Sequence, residues 1–587
     1  MRTTSTPLTA LQIARQNFRL SLVLALTLLL AGGEVFAQSG SGQPGDPPEN
    51  VLRLRADEGV TGTSEVTEWE DQSGFGNDAD ATALPGPAFT GSLPGLNGQA
   101  ALTFDRANDE GIGPSDTDDI NTRDAGYDAR TFTLVFESGA DTAPRQVIYE
   151  EGGPVNGFNV YVENGDLIAS AWSDDWTADT NFEISTPVSA NTAYIATFTF
   201  DADASAPLEL FVNGASVGTV ADGSITTMPS HAGDIAIGNV IEDTQFDDTD
   251  EVDGDGGNGF SGHVAEVFVS NQVITSAQRQ IRESALSERY DIAIDPAAFS
   301  DRYRFATYIA DIAGIGRAAD GTEQLRDASS VLSFQNPTLG NDEFALVGAN
   351  ADPLRFEPES NPSGIGTRLE RVWRYDASGT PGFDIAFDIS TFPALASGQS
   401  YRLLVEDDDA GGDGTFTGPA TTVVDGTLNG STFVVSDLSA LGDGDYLTLA
   451  RTDVDGPSGL TYDGSPLTAP VSTLPVTTNP TVSGGTAPYT FSIQAGTDSG
   501  EPQSVSFGSA SSDDIQIDPN TGEVTVTSSA PSGAYQATVI VTDAAEKSSV
   551  FPDVIAITVQ EPVQVSYEPA SQTVIADGST IDPIQTA

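Results

Sequence analysis

The chain has 587 residues, 23 basic against 86 acidic, and a formal net charge of −63. Its length predicts about three to five domains, and 38% apolar residues can fill several cores, which excludes wholesale disorder. The acidic charge repels polyanions, so nucleic acid is excluded as a partner, and no run after residue 40 is long and apolar enough for a spanning helix.

Arg2, Arg15 and Arg19 precede a short apolar run from Leu20 to Ala31. Val35-Phe36-Ala37 then offers small residues at the cleavage-reading positions, so residues 1–37 read as a signal peptide cut after Ala37. An extracellular or cell-surface location follows as an expectation. The chain has no cysteine, which removes both a lipid anchor and disulfides. Lys547 is the one lysine among 23 bases. Acidic surfaces nearly free of lysine suit concentrated salt, where a Debye length of about 3 Å screens self-repulsion. An ordinary acidic secreted protein is the plainer alternative.

Residues 38–50 are rich in Gly, Ser and Pro and read as a linker. From Val51 to Ile294, short alternating runs lie between turn signals. Thr131 to Phe136, Phe158 to Val162, Tyr194 to Phe200 and Leu208 to Val212 are examples, with Asn164-Gly165 and Asn213-Gly214 as hairpin turns. That density of strands predicts a sandwich or jelly roll. One helix is predicted: Thr275-Ser276-Ala277-Gln278 has capping-box form, and Ile281, Ala285 and Leu286 share a face. Its other face carries Arg279, Arg282, Glu283 and Glu288, so the helix is expected to close one side of the sandwich.

The segments WEDQSGFGNDA (Trp69 to Ala79), Ala101 to Phe104, and Gly259 to Ile292 resemble the laminin-G-like, concanavalin-like jelly roll of bacterial secreted proteins. The resemblance covers residues 51–294. It implies a sandwich that binds glycans or proteins, often with calcium at its rim, and a core position for Trp69.

Residues 295–453 carry the alternating strands Arg371 to Tyr375, Phe383 to Ile389, Tyr401 to Val405 and Asp443 to Leu449. This module resembles a β-rich domain that follows laminin-G-like domains in bacterial surface proteins, and the resemblance implies no activity. Trp373 lies mid-strand and reads as core. Residues 454–560 read as a small sandwich. Pro488 to Ile493, the turn Asp518 to Val524 and Ala537 to Asp543 resemble cadherin-like and immunoglobulin-like repeats of bacterial adhesins. In the turn, Pro519 sets φ and Gly522 permits a left-handed residue. Gln564-Val565-Ser566-Tyr567 resembles Gly459-Leu460-Thr461-Tyr462, so residues 561–587 read as the incomplete start of a second repeat. The expected fold class is all-β and multi-domain: a concanavalin-like jelly roll, a β-sandwich and immunoglobulin-like domains.

Motifs for catalysis are sparse. His231 and His263 lack zinc-site spacing, no G-x-S-x-G elbow occurs, and without cysteine there is no thiol chemistry. Concanavalin-like sandwiches include β-glucanases with an E-x-D-x-x-E strand, whose paired carboxylates face one cleft. Glu251-Val252-Asp253 starts that pattern, but Gly256 replaces its second glutamate. For glycan binding, Trp172 and Trp176 flank Ser173-Asp174-Asp175, offering indoles to stack on sugars and carboxylates to accept hydroxyls. Inward packing is the alternative for both. Between Glu242 and Asp255 lie eight acidic residues and no base. Asp247, Asp248, Asp250, Asp253 and Asp255 are candidate calcium ligands on a Gly-rich loop, against the plainer reading of a solvated acidic loop.

The sequence therefore points to a non-catalytic binding or adhesion protein whose partner is an extracellular glycan or a cell-surface protein. The alternative is a set of accessory binding modules of a larger secreted polysaccharide-degrading enzyme.

Overall fold

The computed structural model describes residues 50–560, apart from 177–181, 232, 247–250, 254–256, 359–360, 363, 396–398, 453–455, 486, 494–514, 531 and 545–546. The expected signal peptide, most of the linker and the second-repeat start lie outside the described residues. The chain is built from β-sheets and divides into two compact units, one of residues up to 392 with 401–450, the other of 393–400 with residues from 451 on.

The first unit opens with a sandwich. Its strands are β1 (Asn50–Arg55), β2 (Ala88–Leu93), β3 (Gln99–Phe104), β4 (Ala129–Ser138), β5 (Gln146–Gly152), β6 (Asn156–Glu163), β7 (Asp166–Ser173) and β8 (Phe182–Pro187). They continue with β9 (Ala193–Asp201), β10 (Leu208–Val212), β11 (Ala215–Val220), β12 (Ala236–Ile237) and β13 (Gly262–Ser270). One sheet has the order β11-β10-β9-β4-β13-β3-β2, with β1 paired to β13; the other has the order β8-β7-β6-β5-β12. Strand alternation explains the layering. Phe158, Val160 and Val162 from β6 meet Phe132, Phe136, Phe198 and Phe200 between the sheets, while the intervening Asn159 and Tyr161 point outward. Both predicted hairpin turns form, with Asn164 and Gly165, and Asn213 and Gly214, all at positive φ, as a two-residue turn matched to strand twist requires. Trp69 is buried in this core.

The helix α1 spans Ser276–Tyr290 with the full Thr275–Gln278 capping box. Its surroundings differ from the sequence expectation. Arg279, Arg282 and Glu283 are buried as well, so the helix does more than close one side of the sandwich. Leu286 and Tyr290 pack on Val135, Ile195 and Phe268 of the sandwich, whereas Ala277, Ile281 and Ala285 pack on Tyr303, Ile312, Phe344 and Leu346 beyond residue 295. A helix covered on both sides needs its charges neutralised internally. Arg279 donates to Glu283 at 2.8 Å, and Glu283 also accepts from Thr197 Oγ1 at 2.8 Å. Arg289 and the Tyr290 hydroxyl both donate to Glu266, at 2.6 and 2.7 Å. The helix is thus a core element common to two sandwiches.

The second sandwich of this unit holds a nine-stranded and a five-stranded sheet. Trp373 lies within its core and donates Nε1–H to Ser329 Oγ at 3.0 Å. In the second unit, a four-stranded and a three-stranded sheet enclose Leu460, Tyr462, Phe491, Val524, Val539 and Ile557. The turn there follows its sequence: Asp518 Oδ1 accepts from Asn520 N and Thr521 N, and Gly522 adopts φ 72°.

Candidate functional site

At one end of the first sandwich, a loop after the short strand Glu68–Trp69 is organised by one carboxylate. Asp71 accepts hydrogen bonds from Arg53 N (2.9 Å), Ser73 N (2.9 Å), Ser73 Oγ (2.5 Å), Gly76 N (3.0 Å) and Asn77 N (3.1 Å). Closing so tight a loop needs left-handed residues at Gly74 and Gly76, with φ 87° and 79°. Asn77 locks it further, donating to Val51 O at 2.7 Å and accepting from Thr117 Oγ1 at 3.1 Å. The result is Phe75, 47% exposed, held between two glycines on a fixed loop. A large apolar side chain kept in water by a loop with so many anchors fits a contact role better than a packing one.

The same rim continues through neighbouring loops. Asn121 Nδ2 donates to Asp116 Oδ1 and to Gly233 O, each at 2.7 Å. Gly233 lies so close to the next loop that a Cβ there would sit 1.7 Å from Gly152 O. Val155, 45% exposed, follows on that loop, and its carbonyl accepts from Asp174 N at 3.1 Å. Exposed carboxylates on these loops include Asp78, Asp118, Asp124, Asp174 and Asp175. An exposed aromatic together with exposed carboxylates on linked loops offers chemistry suited to the face of a sugar ring and to its hydroxyls.

The two tryptophans expected to form the platform do not reach solvent. Trp172 is 1% exposed and Trp176 is 6% exposed. Trp172 lies on the outer face of the five-stranded sheet over Gly157, where a Cβ would come within 2.5 Å of its ring, and donates to Gly153 O at 2.9 Å. Trp176 turns inward onto Phe182 and Phe200, each 6.0 Å away between ring centroids. Burying these indoles in the sandwich outweighs leaving them in water, so the aromatic available to a ligand at this rim is Phe75. Its signal, Gly-Phe-Gly inside a turn, was present in the sequence.

The outer face of the five-stranded sheet carries a polar row beside an apolar cluster of Val147, Tyr161 and Ile168, and it is covered. Glu150 pairs in register with Asn159, Asn159 with Ser170, and Ser170 with Glu183, giving a row of four polar side chains across β5 to β8. The short hairpin Asp243–Gln245 and Glu251–Asp253 lies on it: Asn159 Nδ2 donates to Thr244 Oγ1 at 3.2 Å and to Gln245 O at 2.9 Å. Glu150 has no exposed surface; burial, with Glu151, Asp234 and Asp116 nearby, pushes its carboxyl well above the usual range despite the Ile241 backbone amide. Glu150 and Glu183 are three strand spacings apart, about 14 Å, too far for either glycosidase geometry. Glu150 and its neighbour Glu151 point to opposite faces. Glu151 lies between the sheets, bonded bidentately by Arg130 and by the Tyr149 hydroxyl at 2.7 Å.

His231 is nearly enclosed, with Nδ1 2.9 Å from Pro229 O and Nε2 4.0 Å from Glu151. Burial lowers its pKa against the pull of Glu151. His263 Nδ1 contacts Thr103 Oγ1 at 2.9 Å, and burial lowers its pKa too. Of the calcium candidates, Asp247, Asp248, Asp250 and Asp255 lie outside the described residues, and for Asp253 the backbone alone is described, paired with Asp243. No group of three or more metal-ligating side chains occurs among the described residues.

No protein-family model matches the sequence, and no curated protein matches it. Solved structures give fold-level likenesses. A native heptameric SAP-like pentraxin from Limulus polyphemus is 14% identical, covering 27% of this chain and 69% of that one, with a TM-score of 0.20. Domain 4 of the arabinanase AbnA from Geobacillus stearothermophilus, solved with arabinotriose, is 10% identical over 40% of this chain and 97% of that one, with a TM-score of 0.25. The botulinum neurotoxin serotype G binding domain is 10% identical over 68% and 92%, with a TM-score of 0.30. Among the described residues, no helix is long and apolar enough to cross a membrane.

Proposed function

We propose that this chain is a secreted or cell-surface binding protein whose first sandwich recognises an extracellular glycan through its Phe75 rim. The carrying observation is Phe75 itself, exposed on a loop that Asp71 and Asn77 fix from below. A fixed aromatic loses little conformational freedom on binding, and its apolar face suits the C–H face of a pyranose. Exposed Asp118, Asp174 and Asp175 supply acceptors for hydroxyls. The net charge of −63 disfavours sulfated or otherwise polyanionic glycans. The role is binding or adhesion, not catalysis. Calcium on the 242–255 loop belongs to the same reading. Titration calorimetry against a variant with Asp250, Asp253 and Asp255 changed to Asn tests it, equal heats removing the ion from the proposal.

The glycan claim is tested with residues 38–587 on a glycan array, beside Phe75→Ala. Binding that the variant loses supports the rim. Binding that the variant retains moves the site elsewhere, and no binding by either protein leaves protein adhesion as the better account.

A further inference from the structure

His231 is a buried histidine whose ring is fixed by a distance on each nitrogen. Nδ1 lies 2.9 Å from Pro229 O. A carbonyl only accepts, so Nδ1 carries the proton and Nε2 of the neutral ring presents a lone pair. Nε2 is buried with no hydrogen-bond partner among the described residues, and it faces Glu151 Oε1 at 4.0 Å. Both Glu151 oxygens are already engaged, Oε1 by Arg130 and Oε2 by Arg130 and the Tyr149 hydroxyl. On its other sides the imidazole meets the rings of Tyr127 and Phe158, 5.8 and 6.5 Å away between centroids. Arg130 and Arg123 lie over the Tyr127 ring at 4.6 and 5.2 Å. The ionisable groups around His231 are therefore Glu151 and Tyr149 from β5, Arg130 from β4, and Tyr127 with Arg123 from the segment before β4. One buried carboxylate already balances one buried guanidinium, so a proton on His231 would add an uncompensated positive charge to an enclosed site.

The backbone that carries this ring also holds the rim. His231 N donates to Asn121 O at 2.8 Å, Ser230 Oγ donates to the same carbonyl at 3.4 Å, and Gly233 O accepts from Asn121 Nδ2 at 2.7 Å. Arg130 grips the same turn through Asp119 O at 3.3 Å. Thr117 bridges to Asn121 and passes the connection to the Phe75 loop, its Oγ1 donating to Asn77 Oδ1 at 3.1 Å. We propose that His231 is an acid-sensitive pin of the Phe75 rim: the neutral imidazole keeps residues 229–231 and Gly233 closed on Asn121, and protonation drives the ring out and frees the 117–121 turn that steadies Phe75. The pin rests on the rim being the binding surface and adds its regulation, with ligand held at neutral pH and released in acid. Burial lowers the His231 pKa, with Arg130 acting the same way against the pull of Glu151 and Pro229 O. Linkage fixes the direction. A histidine held neutral in the fold contributes its full stability above the unfolded value of 6.5, and the contribution is lost as pH falls from there through the lower folded value.

The chain has two histidines, His231 and His263, so proton–carbon spectra of residues 38–587 labelled at histidine Cε1 follow each ring separately, with His263→Gln to assign them. His231 should titrate below 6.5. Hydrogen exchange of peptides covering 115–123 and 228–235, corrected for intrinsic rate, should lose protection with the same midpoint, by up to tenfold per pH unit within that window. Peptides covering 343–349, in the second sandwich, should keep theirs. Rim protection that survives the titration of His231, or that falls only together with the second sandwich, would overturn the pin. His231→Asn keeps an amide donor for Pro229 O and cannot ionise, so its rim should hold protection at pH 5 several-fold above wild type; an equal loss in the variant contradicts the proposal. The wild-type comparison stands without the variant should the variant fold poorly. A rim that opens with His231 but binds no glycan on the array at pH 7.5 would support the pin and remove the glycan reading, so the two fail separately.

Discussion

Ile281→Ala probes the helix shared by the two sandwiches of the first unit. Ile281 is fully buried among Tyr303, Ile312, Phe344 and Leu346, and its Cγ2 would lie 3.1 Å from a Cβ at Gly314. Glycine there lets the helix sit directly on the strand Ala310–Arg317, so little surrounding structure can collapse into the space the variant leaves. A poorly collapsing site puts the cost at about 3–4 kcal/mol within the general range for such truncations. An unfolding entropy of about 2.1 cal/mol/K per residue over roughly 390 residues is about 0.8 kcal/mol/K, so Tm should fall by about 4–5 °C. The decisive readout is cooperativity. Calorimetry with hydrogen exchange on peptides from both sandwiches should show one transition, lowered equally for both, because the helix completes both cores. Two transitions, with the lower one confined to residues beyond 295, would refute the shared-core reasoning.

Arg130→Met should strand the carboxylate of Glu151 between the sheets and cost about 3–5 kcal/mol in denaturant unfolding; a loss below 1 kcal/mol would refute the dependence of the fold on that ion pair. Asp71→Ala leaves four backbone amides, three in the rim loop and that of Arg53 in β1, without their acceptor and should cost at least about 3 kcal/mol, whereas Phe75→Ala should leave stability within about 0.5 kcal/mol, a contrast read in one denaturation series. Glu150 is held protonated by burial, so its stabilising contribution is complete below the ordinary glutamate range and shrinks as pH rises; Glu150→Gln should flatten the decline of stability above pH 5, and an unchanged slope would count against that burial. With a charge of −63, raising NaCl from dilute to molar should raise Tm by screening self-repulsion, and equal melting in both would remove the salt-adapted reading.

The sequence by itself determined the β architecture, because alternation and turn chemistry are local. Phe158, Val160 and Val162 must share one face whatever they meet, Asn164-Gly165 and Asn213-Gly214 must turn, and Thr275 with Gln278 must cap a helix. Trp373 read correctly as core, although its strand, Trp373–Ser378, begins at that residue instead of running through it. What only the tertiary structure decided is which faces meet a second layer. Arg279, Arg282 and Glu283 have the spacing of a solvated helix face, yet they are buried against Gly214, Phe211, Thr197 and Phe268 of the first sandwich, while residues beyond 295 cover the Ala277, Ile281 and Ala285 face and supply a second core. Trp172 and Trp176 flank acidic residues as a sugar platform would, yet the sequence carries no local sign of what covers an indole; Trp172 is buried over Gly157 on the outer face of its sheet, and Trp176 turns inward onto Phe182 and Phe200. Phe75 stayed out because Asp71 gathers amides from residues 53 to 77, a convergence between distant parts of the chain that periodicity cannot express.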